Sequence, residues 1–369
     1  MTSTEGMKRW CLVMVAASVM GVSGAQAPAR PAPVKTEVAD NVYLFRTEPY
    51  GEVGLDGNVV VIVSDDGVLV FDTNGTPAAA EAVLREIRAM TSQPVRYVVN
   101  SHWHWDHWYG TEVYKRAFPD VRVVAHEKTR QMMMGPALAF NQPGIDSQLP
   151  DYIASLRKRL ASLPASAEAT ALRDRIAAHE WFLEQKRSVK HTFPDQTFTD
   201  QLTLNLGGRE IQVRHHDRAV TPGDAFLYLP KEQVLVTGDL LVNPISFALS
   251  VYPSGWVKTL EWMDGLDAKV IVPGHGGVLR DEVLLHTTTE IFRRLIAHGK
   301  DARARGLTAF EASDEVYPRL KDLMVVLTGD DPGRNGAFRG QLVEWFMHRV
   351  YDELSGPLTD AISPIPSRR

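Results

Sequence analysis

The sequence predicts an α/β layered fold, α+β in the way strands and helices are grouped, and three observations carry that expectation. Short runs rich in β-branched and aromatic residues outnumber the helical stretches. Helical periodicity recurs between and after those runs, which excludes an all-β sandwich. Several of the apolar runs stop abruptly on an aspartate or a histidine.

The elements follow in order. Val42-Tyr43-Leu44-Phe45, Asn58 to Val63 and Val68-Leu69-Val70-Phe71 read as strands, with Asp65-Asp66-Gly67 as a hairpin turn between the last two. Pro77 to Met90 reads as a helix, because Ala80, Val83, Ile87 and Met90 share one face. Val95 to Val99 is a buried-type strand ending at Asn100-Ser101. Further strands are expected at 121–124, 202–205, 209–214, 225–229, 233–237 and 269–272. Between Pro150 and Pro194 two apolar stripes, Ile153, Leu156, Leu160 and Leu163, then Leu172, Ile176, His179 and Leu183, have helical spacing. A helical hairpin inserted between two β blocks is therefore expected, within a helical insertion of about 127–190. From about Leu279 the chain reads as helices again, with Leu342, Phe346 and Val350 marking the last long one.

The 369 residues carry 40 Lys plus Arg against 45 Asp plus Glu, a formal charge of −5, which argues against a polybasic nucleic-acid binder. A single cysteine, Cys11, excludes a disulfide framework and a Cys-rich zinc finger, so the chemistry must run on His, Asp, Glu, Ser or Lys. Lys8 and Arg9 precede an uncharged run from Trp10 to Val22, and Ala25-Gln26-Ala27 fits a small-x-small cleavage site. The run is short of the roughly 20 residues a membrane span needs. A signal peptide over residues 1–27, removal of Cys11 with it, a periplasmic or secreted mature chain without a membrane span and a linker over 28–39 are expected.

Ser101-His102-Trp103-His104-Trp105-Asp106-His107 packs three histidines and an aspartate into a strand end. Imidazole and carboxylate are the ligands zinc accepts where no thiolate is offered. His102 and His104, two residues apart, point the same way in an extended or looped chain. Thr221-Pro222-Gly223-Asp224 is a turn into a strand. Val234 to Val236 leads to Thr237-Gly238-Asp239, and Val270 to Val272 leads to Pro273-Gly274-His275.

In this order, His-x-His-x-Asp-His, Gly-Asp and Gly-His, the motifs resemble those of the metallo-β-lactamase superfamily over residues 40–280. The resemblance implies an αββα sandwich with the metal site at the edge of the two sheets, followed by a C-terminal helical region over 281–369. It implies one metal position at His102 and His104, a second at Asp106, His107 and His275, and Asp239 bridging both, as in the glyoxalase II-like branch. Asp72 matches an acid that supports the ligands from behind. The family's usual third histidine of the first position is Val220 here, which cannot bind metal, and His215, His216 and Asp217 are candidate substitutes.

The implied cofactor is Zn2+, one or two ions, with iron or manganese as alternatives. Zinc lowers the pKa of bound water to about 7. Asp106 is the expected catalytic residue, orienting that water and handling its proton. A hydrolase acting on an ester, thioester, lactone or lactam-type bond of a small molecule is the leading expectation. A non-hydrolytic metal- or ligand-binding protein and a non-haem iron oxidoreductase are the alternatives. Between Leu240 and Val257 no residue is charged, while Phe247, Tyr252 and Trp256 are aromatic. With Trp103 and Trp105 they are the expected pocket, suited to an apolar or neutral substrate. The Gly-containing segment from Glu48 to Gly57 lies where the family has a flap.

Overall fold

Alternation of buried side chains builds two sheets whose facing sides share one core. The computed structural model describes residues 32–50 and 55–364; the signal peptide expected over 1–27 lies outside these, as does the part of the flap at 51–54. The first sheet takes its strands in chain order: β1 (Val34–Ala39), β2 (Val42–Arg46), β3 (Val59–Ser64), β4 (Gly67–Phe71), β5 (Val95–Val99), β6 (Arg122–His126) and β7 (Gln196–Phe198). The second sheet has five strands in the order β12 (Val270–Val272), β11 (Val234–Val236), β10 (Phe226–Leu229), β9 (Arg209–Arg214), β8 (Gln201–Leu206).

The strand β3 shows how the layers are written in sequence. Val60 and Ile62 face the core between the sheets, while Val59 and Val61 face outward onto the helices Pro77–Met90 and Thr111–Ala117. A strand covered on both faces needs such a continuous apolar run. In the second sheet Val234, Val236, Val270 and Val272 point inward, and Leu235 and Ile271 point the other way. There they meet Trp256 and Leu260 of helix Pro253–Asp264 and a cluster that includes Leu284, Phe292 and Phe346 of the C-terminal helices. The layers are therefore α, β, β, α, with the residues beyond 281 sharing the outer core of the second sheet.

Two differences from expectation have local causes. Residues 34–39, expected within a linker, form β1; Val-Lys-Thr-Glu-Val-Ala is mostly exposed at the sheet edge and lacks the apolar density of a buried strand. The short β7 pairs in parallel with β6 after the inserted helices. That insertion comprises helices Glu127–Met133, Pro136–Pro143, Leu149–Ala161 and Ala167–Ser188, the last two closing on a small core of their own around Ile153, Leu156, Leu172, Ile176 and Leu183.

The strands β4, β5 and β6 run parallel, as do β11 and β12. Parallel strands deliver their carboxyl ends to one edge, where ligand sites of open α/β sheets form. Asp72 follows β4, the histidine motif follows β5, Asp239 follows β11 and His275 follows β12. Among the described residues no helix is long and apolar enough to cross a membrane.

Candidate metal centre

Asp72 organises the back of the cluster. It is buried and sits at φ 61, a left-handed conformation that a non-glycine residue adopts at a cost. Its Oδ1 accepts the Ser101 backbone N–H at 2.7 Å, and its Oδ2 accepts both the Ser101 hydroxyl and His107 Nδ1 at 2.7 Å. The Ser101 Oγ lies 2.8 Å from His102 Nδ1. With Asp72 ionised, the hydroxyl proton goes to the carboxylate, so His102 and His107 both carry a proton on Nδ1 and turn Nε2 forward. Burial raises the Asp72 pKa, an effect that His107 opposes.

Asp239 divides its two oxygens between the two sets of histidines. Oδ2 lies 3.6 Å from His102 Nε2 and 3.8 Å from His104 Nδ1; Oδ1 lies 3.2 Å from His107 Nε2 and 3.3 Å from His275 Nε2. Asp106 Oδ2 faces His275 Nε2 at 3.1 Å and His107 Nε2 at 3.4 Å. Burial pushes both aspartates toward protonation, but His107 and His275 hold them well below the usual carboxylate range. The same pairs act on the imidazoles. Against the effect of burial, Asp239 and Asp106 lift His275 to about 9 and, with Asp72, His107 well above its ordinary value. His102 is driven well below by burial and by the neighbouring His107 and His104.

These groups fit a divalent cation. Nε2 of His102, His104 and His107 and Oδ1 of Asp239 are buried without a hydrogen-bond partner among the described residues, an expensive state unless something else satisfies them. One donor atom from each of His102, His107 and Asp239 lies within 4.8 Å of the others, and so does one from each of Asp106, His107 and His275. Two glycines let the segments approach this closely. A Cβ on Gly274 would strike Asp239 Oδ1, and one on Gly57 would strike the His107 ring.

The proposed substitutes for a histidine at 220 are engaged elsewhere. His215 Nδ1 contacts the Asp224 carbonyl at 2.9 Å and its ring packs on His126 at 4.1 Å. The His216 ring stacks on Trp262, and Asp217 lies 3.6 Å from Lys258. None of the three belongs to a ligand group among the described residues. Val220 itself packs in the outer core with Phe226, Leu240 and Leu241. The turn after it is closed by Asp224, whose carboxylate accepts the Thr221 N–H and hydroxyl at 2.9 and 2.8 Å; burial pushes its pKa up to about 7.

A cavity of about 590 Å³ adjoins the cluster, with Trp105, Phe140, Leu149, Phe182, Phe247 and Leu249 in its wall. The Phe247 ring lies 6.3 Å from that of His104. Of the aromatics expected there, Trp105 and Phe247 line it and three do not. Trp256 is fully buried and donates to the Leu240 carbonyl, and Tyr252 is buried with its hydroxyl on the Thr359 carbonyl. Trp103 packs edge-on to His104, outside the cavity lining. The stretch 240–257 is free of charge largely because it is core. The inserted helices supply lining residues that sequence inspection did not find, Phe140, Leu149, Phe182 and the charged Lys186 among them. The flap anchor Tyr50 is buried against Trp181 and Phe182 of that insertion.

A two-sheet sandwich with an Asp/His cluster at the carboxyl ends of its strands defines a class of metal-binding proteins. The profile of the metallo-β-lactamase superfamily matches residues 53–275, and the chain belongs to that family. It is 23% identical to a linear primary-alkylsulfatase of a Pseudomonas species over 284 residues, 71% of this chain and 49% of that protein. It is 29% identical to a type 2 metallo-β-lactamase of Bacteroides fragilis over 100 residues, 26% of this chain and 40% of that protein. The chain thus spans half or less of the length of these relatives. Among solved structures, a metallo-β-lactamase from Pontibacter korlensis superposes with a TM-score of 0.51 at 20% identity, covering 71% of this chain and 99% of that one. A variant of the sec-alkyl sulfatase PisA1 superposes with a TM-score of 0.59 at 18% identity, covering 88% of this chain and 50% of that one. At such identities these two superpositions speak for the fold.

Proposed function

We propose that this chain is an exported, metal-dependent hydrolase of small molecules, acting on an ester, thioester, lactone or lactam-type bond of a substrate with an apolar body. The alkylsulfatase relative adds sulfate monoesters to that range. The observation that carries the proposal is the division of Asp239 between two sets of histidines whose ring nitrogens converge beside an apolar cavity.

In this reading His102, His104 and Asp239 would hold one zinc, and Asp106, His107, His275 and Asp239 would hold another, the first set lacking a third histidine at Val220. Zinc, when bound, supplies Lewis acidity and a water of lowered pKa. The chain supplies the rest. Asp72 and Ser101 fix the tautomers of His107 and His102. Asp106, held ionised, accepts a hydrogen bond from the attacking water and so orients it. Trp105, Phe247 and the inserted helices exclude bulk water from the reacting bond. Residues 40–280 form the catalytic unit, 281–369 brace its second sheet, and residues 1–27 direct export.

Metal analysis of purified protein with a panel of carboxylic, thio-, sulfate and lactam substrates tests this. Bound zinc with turnover of at least one apolar ester, abolished by a chelator, is expected; metal-free protein that turns over none of them contradicts it. N-terminal sequencing of exported protein is expected to start at Pro28.

A further inference from the structure

Of the described residues that line the cavity, Lys186 alone carries a charge. It stands in the last turn of helix Ala167–Ser188 and is 8% exposed. Its Nζ has no hydrogen-bond partner among the described residues. The amine is held instead over aromatic faces, 3.4 Å from the centre of the Trp105 ring and 4.0 Å from that of Tyr109. Aromatic faces attract an ammonium, but they do not replace the hydration that burial removes. Burial drives the amine well below its ordinary pKa, with Asp106 and Asp56 opposing. An anion bound beside it would restore its charge, and its open side is the wall of an apolar cavity next to Trp105, the neighbour of Asp106.

We propose that Lys186 is a specificity-determining residue, a cation brought by the inserted helix to pair with the anionic group of an amphiphilic substrate. The apolar part of that substrate fills the space between Phe140, Leu149, Phe182 and Phe247. The anion is a sulfur oxyanion or a carboxylate, both of which a single amine can receive. The charge-free stretch 240–257 suggested a neutral substrate. Lys186 replaces that expectation with one negative charge on an apolar chain.

The inference takes its place at the site from the hydrolase reading, so its test needs no turnover. Calorimetric titration of the full purified chain with octanesulfonate, octanoate and 1-octanol compares two anions with a neutral probe of equal chain length. The wild-type protein is expected to bind at least one anion about tenfold or more tightly than the alcohol. Lys186→Met should weaken that anion by about 10- to 100-fold, the range of one hydrogen bond to a charged group, and change the alcohol by less than about threefold. Lys186→Arg should recover part of the loss. A loss confined to octanesulfonate assigns the site to sulfur oxyanions, and a loss shared with octanoate assigns it to anions in general; either supports the proposal. The melting temperature of Lys186→Met should stay level or rise, since a buried amine without a hydrogen-bond partner among the described residues is removed. Equal weakening of all three probes with a lower melting temperature would make Lys186 a packing element and overturn the proposal, as would unchanged anion binding. If the anion-specific loss is seen in a chain that hydrolyses nothing, the hydrolase reading fails and this inference stands.

Discussion

The Asp and His side chains of the cluster follow the carboxyl ends of β4, β5, β11 and β12, whereas the inserted helices that wall much of the nearby cavity include a pair with a core of its own. In the first region every segment is tied to another. Gly57 N–H bonds the Asp106 carbonyl, Asn58 N–H the Gly274 carbonyl and Ala225 N–H the Ser101 carbonyl, at 3.0, 2.7 and 2.7 Å. In the second, the helices Leu149–Ala161 and Ala167–Ser188 pack chiefly on each other. They reach the rest through contacts that include Gln185 Oε1 with Ala78 N–H, Phe182 and Lys186 with Trp105, Lys186 with Tyr109, and Trp181 and Phe182 with Tyr50. The difference teaches a division of labour. In the proposed hydrolase the sheets would fix the candidate ligands, and substrate choice would fall to a wall that can change without disturbing them.

That comparison can be broken or sharpened by substitution. The largest effect is expected for Asp239→Ala, which removes the carboxylate facing four imidazoles: metal content should collapse and hydrolysis should fall by more than about 100-fold, beyond what loss of a supporting group costs. Next is Asp72→Asn. Asparagine accepts the left-handed backbone at this position, so the fold should persist while the tautomers of His107 and His102 are no longer enforced. Zinc affinity should drop by about 10- to 100-fold, measured by competition with a chelator dye. On the other side of the comparison, Leu156→Ala should cost about 2–5 kcal/mol of stability in a thermal or denaturant melt, yet leave zinc stoichiometry unchanged. If it emptied the metal site, the two regions would not be independent. The smallest effect is expected for Val220→His. The imidazole would overpack the cluster of Phe226, Leu240 and Leu241, lowering stability by about 1–3 kcal/mol without adding a metal. A gain of one zinc would show that position 220 still addresses the cluster.

Legibility in the sequence divides along the same line. The metal motif could be read because its residues are close in sequence and follow apolar runs whose strand character is local; Asp239 and His275 could be read because each ends such a run. The edge strand β1 was hidden by its own exposure, since Val34, Lys35 and Glu37 are exposed and only Val38 is buried. Tyr252 and Trp256 looked like pocket aromatics because uncharged aromatic loops and buried helix faces have the same composition; packing against Leu240 and Phe292 decides the matter. Lys186 was illegible for a different reason. A lysine in a helical run reads as a solvated face, and only the tertiary placement of that helix turns it onto Trp105. His215, His216 and Asp217 were candidates only by proximity along the chain, against the plainer reading of a strand end, and His215 is engaged by the Asp224 carbonyl and His216 by the Trp262 ring.

The measurement that bears most directly on the central claim is a zinc titration of chelator-treated protein, followed together with hydrolysis of an apolar ester. The complete set of Asp106, His107, His275 and Asp239 should take up one equivalent tightly. The shorter set of His102, His104 and Asp239 should fill more weakly, and hydrolysis should return as zinc binds. A chain that binds no zinc, or whose zinc binding is untouched by Asp239→Ala, would contradict the account.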